Sequence, residues 1–260
     1  MTKNIMFKTT KFNNGQLING DCLKILPVIK TESIKLIFAD PPYFLSNGGI
    51  SCKSGKIVSV NKGNWDKETD KGKIKEFYTA WIKECKRILQ PNGTIWITGT
   101  FHNIFLVGLL LNEFDFKILN MVTWVKADPP PNLSKRMFTH SSEFIIWAKK
   151  SKNSHQFFNH ELMKKLNNEN PMSDVWILPS VSQKEKKFGY HPTQKPICLL
   201  ERIILSSTKE QDLILDPFSG SSTTGVAATL LNRRFLCIEQ EKNYYQISLN
   251  RLAKYSNLHT

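Results

Sequence analysis

No run of this sequence is apolar for long enough to cross a bilayer. The longest, Ile104 to Leu111, is interrupted by Gly108 and flanked by polar residues. No secretion signal is expected either, because Met1 to Thr10 is polar and basic and no extended apolar segment follows. A cytoplasmic protein without a membrane partner is the expectation. The five cysteines, Cys22, Cys52, Cys85, Cys198 and Cys237, form no CxxC pair, and no histidine stands at zinc-ligand spacing from them. That pattern predicts reduced structural thiols and no metal site. Repeats and low-complexity tracts are absent. Acidic residues are scarce: 22 Asp and Glu against 36 Lys and Arg leave a net charge of +14. Such a surplus attracts polyanions through phosphate neutralisation and counterion release, which makes nucleic acid the leading partner. A merely basic protein fits the charge equally well until a motif is found.

What is present is an alternation. Short β-branched or aromatic runs are separated by amphipathic stretches, the pattern of a wound α/β sheet, and 260 residues suit one such domain spanning 1–260. Seven runs read as strands: Gln16 to Asn19, Leu36 to Ala39, Thr94 to Thr98, Leu119 to Val125, Phe144 to Ala148, Leu213 to Leu215 and Phe235 to Ile238. Phe77, Trp81, Ile82, Cys85, Ile88 and Leu89 recur at helical spacing, and that helix should stop before Pro91-Asn92-Gly93. Further helices are expected from Pro196, after Thr223 and Thr224, and over Glu241 to Tyr255, where Arg251 and Lys254 would complement the helix dipole. Phe44 to Asp70 and Lys150 to Tyr190 interrupt the alternation, and excursions of that length are usually functional or disordered.

The chemistry is carried by two strand ends. After Leu36-Ile37-Phe38-Ala39 comes Asp40-Pro41-Pro42-Tyr43, at the end of a sheet where ligands bind. These residue types suit one task, holding an exocyclic amine in a plane. Asp40 accepts one N–H, the Pro41 carbonyl accepts the other, and Tyr43 stacks on a base taken out of the duplex. The amine lone pair is then left to attack a methyl group in line. An Asp-Pro-Pro turn with Tyr43 in the core is the plain alternative, so a second element is needed. It is Asp216-Pro217-Phe218-Ser219-Gly220-Ser221-Ser222-Thr223-Thr224, a strand end, a small-residue turn and a helix start, which lets a ligand approach the backbone. About twenty residues on, Glu239 ends another strand at the spacing that reaches ribose hydroxyls.

Together these elements resemble the amino-methyltransferases, with Asp40-Pro41-Pro42-Tyr43 matching the catalytic tetrapeptide and Asp216-Pro217-Phe218 with Gly220 the cofactor loop. The order, catalytic motif first and cofactor loop last, resembles the β class of DNA methyltransferases. The resemblance implies a Rossmann-like mixed sheet of seven strands with helices on both faces and S-adenosylmethionine as cofactor. It also implies a small inserted target-recognition region at 150–190. By the same likeness Asp40, Asp216, Phe218, Ser219, Gly220, Ser221, Ser222, Thr223 and Glu239 surround the cofactor, and His191, Thr193 and Lys195 of His191-Pro192-Thr193-Gln194-Lys195-Pro196 lie at its methionine end. Asp21 and Cys22 form the turn at its adenine, with Asp21 accepting from the amine. The family loop usually has a second glycine where this chain has Ser222, and serine adopts positive φ at greater cost. Asp in first place favours adenine N6, and no Pro-Cys pair offers a cytosine-C5 nucleophile.

A closer likeness lies in Phe44-Leu45-Ser46-Asn47-Gly48-Gly49-Ile50 and Gly63-Asn64-Trp65-Asp66-Lys67. These resemble the loop of the accessory methyltransferase of DpnII-type restriction systems, which modifies adenine in GATC and also accepts single-stranded DNA. GANTC-modifying relatives share much of the pattern. The likeness implies protection of DNA from a partner restriction endonuclease by a monomer or homodimer. Phe44, Trp65, Lys135, Arg136 and His140 are the candidate DNA contacts, while the other five tryptophans read as core. A nicotinamide oxidoreductase would need a complete GxGxxG after its first strand, and a non-catalytic DNA-binding protein has no use for two paired strand-end motifs. An RNA or protein methyltransferase is the nearest rival, disfavoured by the DNA-type loops.

Overall fold

The computed structural model describes residues 7–46, 50–53, 56–59, 66–127, 129, 131–132 and 135–256. Its strands are β1 (Lys8–Phe12), β2 (Gly15–Asn19), β3 (Ile34–Ala39), β4 (Ile50–Lys53), β5 (Lys56–Ser59), β6 (Leu89–Gly99), β7 (Lys117–Lys126), β8 (Ser142–Lys149), β9 (Val175–Leu178), β10 (Leu213–Asp216) and β11 (Arg234–Glu239). Its helices are α1 (Cys22–Ile25), α2 (Lys71–Ile88), α3 (Ile104–Glu113), α4 (His160–Lys165), α5 (Ile197–Ser207), α6 (Thr223–Leu230) and α7 (Lys242–Ser256). The main sheet runs β1-β2-β11-β10-β3-β6-β8-β7-β9, and β4 and β5 form a separate hairpin.

The sheet is mixed, as expected, but has nine strands rather than seven. Strands β2, β11, β10, β3 and β6 are parallel neighbours, while β1 is antiparallel to β2 and β8 is antiparallel to both β6 and β7. The two additional strands are its edges. Strand β1, Lys-Thr-Thr-Lys-Phe, is polar and mostly exposed, and an edge strand needs no apolar run. Strand β9 sits inside the basic 150–190 segment and pairs in parallel with Thr123–Lys126, joining that segment to the sheet. Helix α3 occupies the apolar run to which the sequence reading assigned no element. It buries Ile104, Val107, Leu110 and Leu111 on one face and leaves Phe105 and Leu109 exposed.

Burial explains the order. All six positions of β3 are buried, as a central parallel strand covered on both faces requires. Helices α1, α2 and α3 cover one face, with Trp81, Ile82, Cys85 and Ile88 of α2 packed on Ile37 and Ile95. Helices α5, α6 and α7 cover the other through Leu199, Ile203, Val226, Tyr245 and Leu252. Asp70 caps α2 by accepting from the Gly72 and Lys73 amides, and the helix stops at Ile88, before Pro91. The five described tryptophans are all buried, Trp96 stacked on Trp147 with ring centroids 4.9 Å apart.

Beyond β3 the chain returns through α2 to β6 on one side, and beyond β10 it returns through α6 to β11 on the other. Strands β3 and β10 are direct neighbours, with Leu215 opposite Ile37. Their carboxyl ends therefore flank the topological switch point, where an open α/β sheet leaves a crevice. Asp40 follows one strand and Asp216 ends the other.

Candidate active site

Asp40 is nearly buried, and each of its oxygens is engaged. Oδ1 accepts from the Tyr43 hydroxyl (2.8 Å) and the Thr98 hydroxyl (2.5 Å), and Oδ2 accepts from Lys195 Nζ (2.7 Å). Burial pushes this carboxyl up. The Lys195 ammonium and the three hydrogen bonds outweigh it, so the group lies below the usual carboxylate range and carries its charge at neutral pH. Lys195 Nζ also lies 3.5 Å from Glu143 Oε2, and Glu143 in turn pairs with Lys126. The Pro42 carbonyl accepts from Tyr78 Oη at 2.7 Å, whereas among the described residues no hydrogen bond takes up the Pro41 carbonyl.

The loop after the tetrapeptide is stapled by Asp66. This buried carboxylate accepts from the amides of Phe44 (2.6 Å) and Leu45 (3.2 Å) and from the Ser46 hydroxyl (2.7 Å). Phe44 takes a positive φ of 55° and packs edge-on against Phe77 at 5.6 Å. It thus stands in the wall of a cavity at the strand ends. Lys135, Arg136 and His140 are exposed, and the His140 ring stacks on Phe101 at 4.8 Å. Trp65, with Asn47 to Gly49, Gly63 and Asn64, lies outside the described residues.

A cavity of about 330 Å³ opens across the carboxyl ends of β2, β3, β10 and β11. Asp21, Cys22, Asp40, Phe44, His191, Thr193, Phe218, Gly220 and Glu239 line it, joined by Lys73, Phe77, Ile238 and Tyr244, which the sequence reading did not select. Asp21 Oδ1 accepts from the Leu23 amide at 2.9 Å and caps α1. Burial pushes the Cys22 thiol far up, so it stays a neutral wall group. Lys195, Asp216, Ser219, Ser221 and Thr223 line a smaller void of about 20 Å³ beneath the loop and are not part of the larger cavity's lining.

The loop from Asp216 to Thr224 is held from three directions. Glu239 Oε2 accepts from the Gly220 amide (2.8 Å), and Glu239 Oε1 accepts from the Glu241 amide (2.7 Å). Ser248 Oγ donates to the Gly220 carbonyl at 2.8 Å, and Arg251 Nη1 donates to Ser221 O, Ser221 Oγ and Thr223 Oγ1 at 2.8–3.0 Å. Arg251 is therefore buried under this loop, not at the helix surface complementing the dipole as its position near the end of α7 had implied. Its signal was its spacing: Tyr245, Ser248 and Leu252 mark the buried face of α7, and Arg251 falls on it. Gly220 has φ +54°, and a Cβ there would come within 2.9 Å of the His191 ring. Ser222 adopts the left-handed conformation (φ 55°, ψ 43°) without glycine, its Oγ 3.3 Å from Ser219 Oγ. Burial raises Asp216 to about 7, against hydrogen bonds from Thr224 and Phe218, and raises Glu239 to about 8.

Comparison with known proteins names this arrangement. A DNA methylase family model, N6_N4_Mtase, matches residues 34–250. The chain belongs to this family. Among its relatives, the type II methyltransferase M2.DpnII of Streptococcus pneumoniae is 54% identical over 92% of this chain and 90% of its own. M2.MboI of Moraxella bovis is 53% identical over 92% and 87%, and M.HinfI of Haemophilus influenzae 41% identical over 92% and 68%. The crystal structure of an M1.HpyAVI–SAM complex superposes with a TM-score of 0.66 at 30% identity, covering 92% of this chain and 98% of that one. The cytosine-N4-specific PvuII methyltransferase shares the fold (TM-score 0.75, 19% identity, covering 95% and 93%).

This DNA methylase is S-adenosylmethionine-dependent and of the type II restriction-modification kind. Its larger cavity fits that cofactor on its own terms. It has the volume of a small-ligand site, with apolar walls from Phe77, Phe218 and Ile238 for a flat ring. Acids suited to a diol and an amine stand among its lining at Glu239 and Asp21. Glu143, Lys126, Thr98 and Asp66 were not selected from the sequence. Asp66 stands within the family-like segment Gly63 to Lys67 and Thr98 at the end of a strand run, without a role being assigned to either, and Glu143 shows as a charge entering the apolar run Phe144 to Ala148.

Proposed function

We propose that this chain methylates the N6 amine of adenine, within GATC, and thereby protects DNA from a partner endonuclease. The observation that carries the reading is Asp40, an ionised carboxylate buttressed by Lys195 at the rim of the cofactor cavity. Asp in first place of the tetrapeptide is the family's habit for adenine, and 53–54% identity to M2.MboI and M2.DpnII favours the accessory type.

S-adenosylmethionine supplies an electrophilic methyl group. Every remaining requirement falls on the protein. Asp40 and the Pro41 carbonyl each accept one N–H, which fixes the amine's plane and leaves its lone pair directed at the cavity. The Tyr43 hydroxyl must leave or share Asp40 Oδ1 as the base enters, and its ring then faces the base. Asp40 stabilises the positive charge that develops on nitrogen, and once the methyl group has moved the surplus amine proton passes to solvent water without a dedicated base. Phe218 and Phe44 border the cofactor ring. Glu239 faces its ribose, Asp21 its amine, and His191 and Thr193 its methionine end.

Lys135, Arg136 and His140 contact DNA in this reading, with the 150–190 segment as target-recognition region of a single domain. No helix of the described residues is long and apolar enough to cross a membrane, which agrees with action on DNA in the cytoplasm. Flipping a base costs a few kcal/mol in a duplex and much less in a single strand, so single-stranded GATC oligonucleotides are substrates too. The test is tritium incorporation into matched single- and double-stranded GATC and GANTC oligonucleotides, followed by nucleoside mass spectrometry. N4-methylcytosine would overturn the adenine reading, preference for GANTC the site, and incorporation into duplex alone the strand claim.

A further inference from the structure

The catalytic carboxylate ends a row of four charges of alternating sign. Lys126, at the end of β7, pairs with Glu143 on β8; Glu143 Oε2 lies 3.5 Å from Lys195 Nζ; and Lys195 Nζ donates to Asp40 Oδ2 at 2.7 Å. The row sums to zero charge. Of the four residues only Asp40 lines the larger cavity. A buried ammonium between two carboxylates cannot rotate toward either without losing the other, so each pair restrains its neighbour.

We propose that Lys195, held from behind by Glu143 and Lys126, is a positioning residue that fixes the orientation of the Asp40 carboxylate, and that it does not bind the cofactor. The proposal rests on Asp40 receiving the substrate amine. Lys195 also supplies the countercharge that this site needs. The groups facing Asp40 are the hydroxyls of Tyr43, Thr98 and Tyr78, the Asp216 carboxyl across the switch point, and the Lys195, Glu143 and Lys126 row. Without Lys195, Asp40 would face burial and neighbouring acids with only hydroxyl donors to hold its charge, and it would take up a proton closer to neutrality.

The experiment is the pH profile of methyl transfer to DNA, scored as total incorporation so that it reads the same whichever amine is modified. Cofactor affinity is measured alongside by calorimetry. In Lys195→Met the acid limb of kcat should move up by more than one pH unit and kcat at pH 7 should fall by at least about 100-fold, with cofactor affinity within threefold of the parent. Lys195→Arg should restore the limb and part of kcat. Glu143→Gln should lower kcat without moving the limb upward, because the charge beside Asp40 remains while its anchor is lost. An unmoved limb in Lys195→Met, or a loss of cofactor affinity beyond tenfold, overturns the proposal. Should Lys195→Met fail to fold, Glu143→Gln decides, and unchanged kcat in it overturns the proposal equally. An inert Asp40→Ala supports the underlying reading separately; if that variant stays active, the reading itself fails.

Discussion

Two carboxyls beneath the cofactor loop should make the ligand-free protein weaken as pH rises. Burial raises Asp216 from 3.8 to about 7 and Glu239 from 4.5 to about 8. Both bind their protons more tightly folded than unfolded, so between roughly pH 4.5 and 7 the folded chain holds up to two protons that the unfolded chain has released. Stability falls with rising pH wherever the folded state binds more protons. At about 1.4 kcal/mol per unit and per group, the step from pH 5 to pH 7 carries up to about 5 kcal/mol. Relaxation and water entry reduce that to about 3 kcal/mol. Asp40 and Glu143 have lowered values, so their stabilisation is complete once the pH has passed the ordinary carboxylate range, and they do not mask the trend. The assay is urea unfolding at half-unit steps from pH 5 to 8, with Glu239→Gln as the control that should remove about half of the slope. A flat or rising unfolding free energy across that window would refute the reasoning.

Three further outcomes are expected. Asp40→Ala should abolish methyl transfer while leaving cofactor affinity largely intact, because its oxygens meet Tyr43, Thr98 and Lys195 and face the amine in the proposed complex; tritium transfer and calorimetry separate the two. Arg251→Met removes a charged donor from three acceptors in the loop and should cost about 2–4 kcal/mol in chemical unfolding. Cofactor affinity should fall with it. Gly220→Ala places a methyl group 2.9 Å from the His191 ring at φ +54°, and should cost about 1–3 kcal/mol and weaken cofactor binding in the same calorimetric assay.

How far the sequence foretold this molecule depended on distance along the chain. Strand β3 and its tetrapeptide were legible because the strand's last four residues, Leu36 to Ala39, form an unbroken apolar run, as burial on both faces favours, and the chemistry follows them directly; Lys35, also buried, donates from its ammonium to the Asn92 carbonyl. Helix α2 was legible from its repeat and from Pro91 beyond its end. The edge strand β1 was not, since a polar edge exposed to water carries no distinctive pattern, and β9, though its Val-Trp-Ile-Leu run is strand-like, is only four residues long inside a polar, basic segment. Lys195 was recognised as part of the site, but its partners were not. Glu143 reaches it only because β8 lies antiparallel beside β6, a neighbour relation absent from local sequence. The strain expected at Ser222 is present as a left-handed serine, absorbed by a loop fastened on both sides.

Arg251 ties the assembly of the site to the order in which the chain is made. The tetrapeptide emerges early, the loop near residue 220 late, and the guanidinium that braces that loop later still, on the last helix of the sheet's second face. A nascent chain that has passed Thr224 but not Glu239 has both chemical motifs and none of the three groups that hold the second, and one that stops short of Arg251 still lacks three of the loop's hydrogen bonds. A truncation between Glu239 and Arg251 would keep the strands of the main sheet while removing the guanidinium brace from the loop, so the cofactor loop is the last part of the site to be completed as the chain is made.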